Sequence, residues 1–379
     1  MPLFAEAADA ATNPTIGILI FVLGGLAGAV FYLPFKKVKN WAWESYWLIY
    51  AVFGLIIVPW ALALCTSPNV ISVLLASPLK IVGYCFLCGM MWGFGGLTWG
   101  LMIRYLGVGL GLAIGGGLCS AAGTLIPPIL APVLQRFVSD TASDSTLSDA
   151  IQRGVQSLYG ASPANVALLG VLVSLVGIAL VGGAGMSKAN ELPEDQKKKA
   201  VEEFDFKKGM LVATFSGLMS AGMSLGLQGG ATIERLARET APATNDIWKG
   251  MPVVVVVLFG GFVVNGLWCL FLNVKNKTTG DYVKSGSPLV ANLFFAGLAG
   301  TIWCSQFVCF KTGEPAMGSL SYIGWSVLFA SAILFGTLLG IFLGEWKNTS
   351  VRTRVLLALG LAFLVVSSVI SGYSGYLKQ

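Results

Sequence analysis

The chain has 379 residues, of which 55 % are hydrophobic and only 11 % charged, and its mean hydropathy is +0.78. A soluble domain carries roughly a quarter charged residues, so a soluble enzyme is excluded and a polytopic membrane protein is the default. The formal net charge of +6 comes from basic residues set between apolar runs, which fits membrane topology and gives no reason to expect a nucleic-acid partner.

Histidine is absent, which removes histidine metal sites, histidine proton relays and every Ser-His or Cys-His catalytic arrangement. No metal site is expected. The seven cysteines all fall in apolar stretches, and the Cys85/Cys88 spacing has no second pair beside it, so they read as buried thiols. No Gly-x-x-x-x-Gly-Lys-Ser/Thr loop occurs, so the chain carries no ATP motor of that type.

Ten stretches lack Asp, Glu, Lys and Arg, and the shortest has 23 residues. A helix needs ~20 apolar residues to cross the hydrocarbon core. The pattern predicts spans at 15–35, 43–65, 79–103, 108–132, 164–184, 208–228, 251–273, 289–310, 318–343 and 353–373. The runs do not alternate as barrel strands would. The lipid bilayer is therefore the expected surroundings.

Lys and Arg concentrate in the loops after spans 1, 3, 5, 7 and 9, which hold 16 of the 24. The positive-inside rule makes that side cytoplasmic and puts both termini outside. Residues 1–14 form an outer N-terminal segment without the basic region of a signal peptide, so span 1 is expected to be retained. Residues 186–207 read as a charged cytoplasmic linker between a first five-helix repeat, 15–185, and a second, 208–379. The outer loop at 134–163 reads as an ordered decoration, with mild helical periodicity over 147–158.

The halves share short matches in the same order. Gly25-Leu-Ala-Gly-Ala-Val of span 1 is matched by Gly217-Leu-Met-Ser-Ala-Gly of span 6. Gly93-x-x-Gly96-x-x-Trp99 is matched by Gly297-x-x-Gly300-x-x-Trp303, and Gly123-Thr-Leu-Ile by Gly336-Thr-Leu-Leu. An odd number of spans per repeat forces opposite orientations. The expected fold is thus an all-α membrane protein with ten transmembrane helices in two inverted five-helix repeats. In such folds the substrate sits near the midplane between the repeats. The same glycines also serve close helix packing.

With no histidine, a proton-coupled carrier would use a carboxylate. Glu44, in the first turn of span 2 after Lys36, Lys37 and Lys39, is the first candidate, with Arg104 at the end of span 3 as a partner on the same side. Each also has a plain structural role, as a dipole-favoured acid and as a positive-inside anchor. Glu345 reads as a loop anchor, and Glu234 and Glu314 mark outer span edges. A neutral solute needs hydrogen-bonding groups and aromatic faces. The mid-span candidates are Trp92, Thr98, Trp99, Gln228, Asn265, Trp303, Gln306, Tyr322 and Trp325, any of which could instead bond or pack between helices.

The stretch Phe31-Tyr-Leu-Pro34-Phe-Lys-Lys-Val-Lys-Asn-Trp41-Ala-Trp43-Glu44 resembles the signature of the L-rhamnose–proton symporters. Gly89-Met-Met-Trp92-Gly, Arg104-Tyr-Leu-Gly-Val-Gly-Leu-Gly, Ser220-Ala-Gly-Met-Ser224 and Trp303-x-x-Gln306 are similar to that family too, across 15–130 and 205–370. The resemblance implies a member of the drug/metabolite transporter superfamily in a bacterial inner membrane. It would take up L-rhamnose or a related 6-deoxyhexose by proton symport through alternating access. The sugar is the implied partner, the proton the coupling ion, and no cofactor is implied. The oligomeric state is open, and a monomer suffices. The competing expectations are a carrier of another metabolite, an uncoupled facilitator and a membrane enzyme. The enzyme is disfavoured because no nucleophile–base pair or metal cluster appears in the spans.

Overall fold

The computed structural model describes residues 13–138, 147–157, 162–191, 206–283, 287–344, 346–347 and 349–377. The regular elements among them are all helical. Ten are long and apolar enough to cross a membrane: Pro14–Lys37, Trp43–Thr66, Leu79–Met102, Ile114–Leu134, Ala164–Lys188, Lys207–Glu239, Met251–Lys275, Leu289–Met317, Leu320–Phe342 and Val351–Ser371. They are spans 1 to 10 below, and they make the chain a multi-pass membrane protein.

Local chemistry explains the starts, turns and breaks. Span 1 opens on Asn13, whose side-chain oxygen accepts a hydrogen bond from the Ile16 N–H at 3.3 Å, and Pro14 fills the first position, where no donor is required. Span 1 ends in a 3-10 turn over Pro34–Lys37, and the chain reverses at Asn40, whose φ of 59° suits an asparagine. Span 2 widens into a π turn at Phe53–Ile57 just ahead of Pro59, which has no N–H for the α-helical ladder.

Between spans 3 and 4, helical hydrogen bonding runs on through Gly111 and a π turn at Leu112–Gly116 while the chain doubles back. A Cβ on Gly111 would stand 3.6 Å from the Met102 carbonyl oxygen, whereas nine residues of straight helix would separate them by ~13.5 Å.

Three expected boundaries move. Span 6 is broken at Ala221 and continues to Glu239 through a short amphipathic helix, Ala231–Glu239. The helix of span 8 runs to Met317, so Lys311 and Glu314 are helical residues and not loop residues. The helix of span 5 extends to Glu191, inside the expected linker, whose residues 192–205 lie outside the described set. Within the loop between spans 4 and 5, Leu147–Gln156 forms a helix against span 4, with Gly154 laid on the Ile129 backbone.

The packing is reciprocal between the halves. Span 1 packs on spans 8 and 9, and span 6 on spans 3 and 4. Span 2 packs on span 8, span 7 on span 3, and span 5 on span 10. Glycine permits the closest of these contacts. A Cβ on Gly54 would stand 2.7 Å from the Gly300 carbonyl oxygen, so spans 2 and 8 touch backbone to backbone. On the other pair, Gly89 of span 3 lies against the Val257 carbonyl of span 7.

Side chains also bind loops on each face. On the lysine-rich face the Lys39 N–H donates to Asn292 Oδ1 at 3.0 Å, and the Ala42 N–H donates to Asp281 at 2.8 Å. On the opposite face Ser67 and Thr244 share a hydrogen bond of 2.8 Å.

Candidate functional site

A cavity of about 500 Å³ lies at the centre of the bundle. Five residues expected at the substrate site line it: Trp92, Trp99, Trp303, Gln306 and Trp325. Spans 3, 8 and 9 bring them together. The Trp303 ring packs against Trp92 at 4.9 Å, Phe307 at 4.6 Å and Tyr50 at 5.8 Å between centroids. Gln306 donates to its own helix at the Trp303 carbonyl, 3.0 Å away, and its Oε1 turns toward Gly28, where a Cβ would stand 2.9 Å away. That oxygen takes no protein hydrogen bond among the described residues, so it is an available acceptor.

The sequence reading missed the wall contributed by spans 1 and 2, namely Tyr32, Trp47 and Tyr50. The signal was visible in Trp41, Trp43, Tyr46, Trp47 and Tyr50, but a membrane-interface belt absorbs such a run equally well. Trp325 bounds the chamber on the side away from the lysine-rich face, packed edge-on to Phe310 at 5.5 Å with its Nε1 donating to the Cys119 carbonyl at 3.3 Å. In the other direction the chamber reaches Trp346, whose ring sits 4.6 Å from Lys188 Nζ on the lysine-rich face.

Four expected substrate residues lie elsewhere. Thr98 donates to the Phe94 and Gly95 carbonyls of its own helix, at 2.9 and 3.0 Å, and is not among the residues lining the chamber. Asn265 is buried beside it. Its Nδ2 donates to the Gly261 carbonyl at 2.9 Å, and its Oδ1 accepts from Trp47 Nε1 at 3.1 Å. It positions a wall residue and does not face the space itself. Gln228 and Tyr322 line a second cavity of about 650 Å³ in the opposite half of the protein.

Glu44 is buried at the lysine-rich end of span 2, away from both cavities. Its Oε1 accepts from Asn276 Nδ2 at 3.0 Å and from Thr278 Oγ1 at 2.9 Å. Ser45 donates to Asn273 at 3.2 Å and to Asp281 at 2.8 Å. These bonds tie span 2 to the end of span 7. The Arg104 side chain and Glu345 lie outside the described residues.

The second cavity holds the least expected cluster. Lys311 is 3 % exposed, and its Nζ forms ion pairs with both Glu234 and Glu314 and donates to the Leu227 carbonyl at 3.1 Å. Each acid alone looked like a span edge. Lys311 escaped notice because charge-free runs define spans by excluding it. No group of three or more His, Cys, Asp or Glu side chains fit to hold a metal occurs among the described residues.

Fold and chamber define a multi-pass membrane protein with a solute-sized space between its helices. The chain belongs to the L-rhamnose-proton symport protein family, whose model matches residues 10–151 and 141–375. The L-rhamnose-proton symporter of the Crooks strain of Escherichia coli is 31 % identical over 362 residues, covering 94 % of this chain and 97 % of its own. The L-rhamnose-proton symporter of Shigella flexneri is 30 % identical over the same shares. By family the chain is a transporter and not an enzyme.

Proposed function

We propose that this protein takes up L-rhamnose, or a related 6-deoxyhexose, together with a proton across a bacterial inner membrane. The observation that carries the reading is a family match from residue 10 to residue 375 on a chain whose central chamber is walled by aromatic rings. Such a chamber suits a 6-deoxy sugar. Ring faces cover its C–H and methyl groups, and Gln306 Oε1 accepts from a hydroxyl. The chamber lies within the ~300–1,000 Å³ range of small-molecule sites.

The reciprocal packing of spans 1, 2 and 5 on one half and 6, 7 and 10 on the other supports two inverted repeats and alternating access. In that cycle the lysine-rich face is cytoplasmic. Trp325 with Phe310 forms the outer closure, and the bonds of Glu44 to Asn276 and Thr278 form an inner latch between spans 2 and 7. A monomer contains every one of these parts.

The test is uptake of labelled L-rhamnose into proteoliposomes, with and without an inward proton gradient, with L-fucose and L-mannose as competitors. One proton moving down 100 mV supplies about 2.3 kcal/mol, which sustains roughly fifty-fold accumulation. Gradient-dependent accumulation is the expected result. Uptake that only equilibrates the sugar would make the protein a facilitator, and no uptake by folded protein would discard the sugar.

A further inference from the structure

The geometry points to the Lys311–Glu234–Glu314 cluster as the place where the transported proton binds. Three observations stand together. Lys311 is buried in span 8 with two carboxylates on one ammonium, so the cluster holds one negative charge in excess. It opens on the second cavity, which Glu234, Lys311 and Glu314 all line, so protons have a path to it from the outer half. The same cavity is lined by Tyr322, whose hydroxyl is buried without a hydrogen-bond partner among the described residues. A buried lone hydroxyl lining the same cavity marks a place for water to bond.

The other titratable groups around the cluster are few. Lys249 lines the cavity at the start of span 7, with its Nζ 3.0 Å from Asp246. Cys85 of span 3 lies near Lys311 and Glu234, and the neighbouring Tyr84 ring packs on Gly229 of span 6. Tyr322 lines the cavity from span 9. None of these gives Lys311 a third anion; Lys249, whose partner Asp246 also pairs with Arg238, adds a positive charge facing Glu314.

Two carboxylates held against one ammonium repel each other, and a single proton relieves that repulsion and brings the cluster to zero net charge. A proton from water in the outer cavity adds to one glutamate oxygen. The ion pair of that glutamate to Lys311 weakens, while the other pair stays. On the return, the same O–H bond breaks and the proton leaves to water on the opposite face.

Protonation has a mechanical consequence. The cluster clamps span 6, through Glu234 and the Leu227 carbonyl, to span 8, through Lys311 and Glu314. Gln306 lies five residues before Lys311 on the same helix, ~7.5 Å along its axis. Loosening one arm of the clamp therefore acts on the helix that carries Trp303 and Gln306. Glu44 lacks this geometry. It has two neutral donors, lines neither cavity and sits at one end of its span.

This assignment rests on the proton-symport reading, and the experiment separates the two. Wild-type proteoliposomes first establish gradient-driven L-rhamnose accumulation. Glu234→Gln and Glu314→Gln are then assayed for accumulation and for sugar counterflow at equal pH. The expected result is an accumulation ratio falling to about one in at least one variant while counterflow persists. Glu239→Gln, an exposed acid on the same helix, is the comparator and keeps full accumulation.

If both cluster variants accumulate sugar as the wild type does, the assignment is overturned. A second measurement does not depend on the sugar or on stable variants. Infrared titration of purified wild-type protein should show a buried carboxyl band that appears on acidification and is lost in Glu234→Gln or Glu314→Gln. A titrating band that survives in both variants, or no such band in wild type, also overturns the assignment. Failure of wild-type L-rhamnose transport with the band present discards the sugar and keeps the proton site.

Discussion

Replacing Lys311 by Met tests whether the cluster is a buried ionic contact at all. At an ion-pair separation of about 2.8 Å and an effective dielectric constant of about 20, each Lys311–carboxylate attraction is worth about 6 kcal/mol before desolvation. Removing the ammonium strands two buried carboxylates and leaves the Leu227 carbonyl without its donor. Breaking such a contact from one side costs about 3–5 kcal/mol net.

Glu314→Gln is different in kind, because it removes the excess charge and leaves the Lys311–Glu234 pair in place. The lost attraction is offset by relief of carboxylate repulsion, about 3 kcal/mol at about 5 Å, and by one fewer desolvated charge. Its net cost is expected below about 1 kcal/mol. At about 1.3 °C per kcal/mol for a chain of 379 residues, Lys311→Met should lower the thermal midpoint by about 4–6 °C.

The assay is a heat ramp of detergent-purified protein followed by tryptophan fluorescence. Adding Glu234→Gln and Glu314→Gln to Lys311→Met should recover most of the loss, as should acidification of the single variant, since both neutralise the stranded carboxylates. A Lys311→Met protein that melts within a degree or two of wild type would refute this electrostatic account.

Three further outcomes are expected. Gln306→Ala removes the free acceptor in the chamber, and one neutral hydrogen bond of about 0.5–1.5 kcal/mol corresponds to about 2- to 13-fold weaker sugar binding, read by competition. Asn265→Leu leaves Trp47 Nε1 without its acceptor, so sugar affinity should fall while the proton dependence of uptake stays; unchanged affinity would mean that Asn265 does not set the Trp47 wall. Finally, hydrogen bonds from Ser350, Thr353 and Ser187 hold the Glu191 carboxyl down to about 2, joining the end of the span 5 helix to the start of span 10. A depressed carboxyl stabilises above its unfolded value, so this junction should be intact at neutral pH and open as pH falls from about 4.5 toward 2. Hydrogen exchange in the first turn of span 10 should then speed up, and an unchanged rate would contradict the assignment.

Several features of the chain were legible because they are one-dimensional. Runs such as 81–103 must be helical in lipid, since their backbone groups have no other partner there. The paired motifs ending in Trp99 and Trp303 pointed to the chamber wall, because polar and aromatic groups in mid-span face the interior when lipid offers them nothing. The same rule could not tell a wall from its support. Asn265 satisfied it by holding Trp47, and Thr98 by bonding its own helix. Glu44 looked exposed to coupling chemistry by its place after three lysines, yet its partners Asn276 and Thr278 are 232 and 234 residues away.

By itself the sequence determined the solvent and the number of spans, because transfer to lipid acts on each segment through its own composition. Tertiary structure decided which polar groups share a space. Lys311, Glu234 and Glu314 form one charge only when spans 6 and 8 are packed, and a buried charge is tolerable only with its partners present.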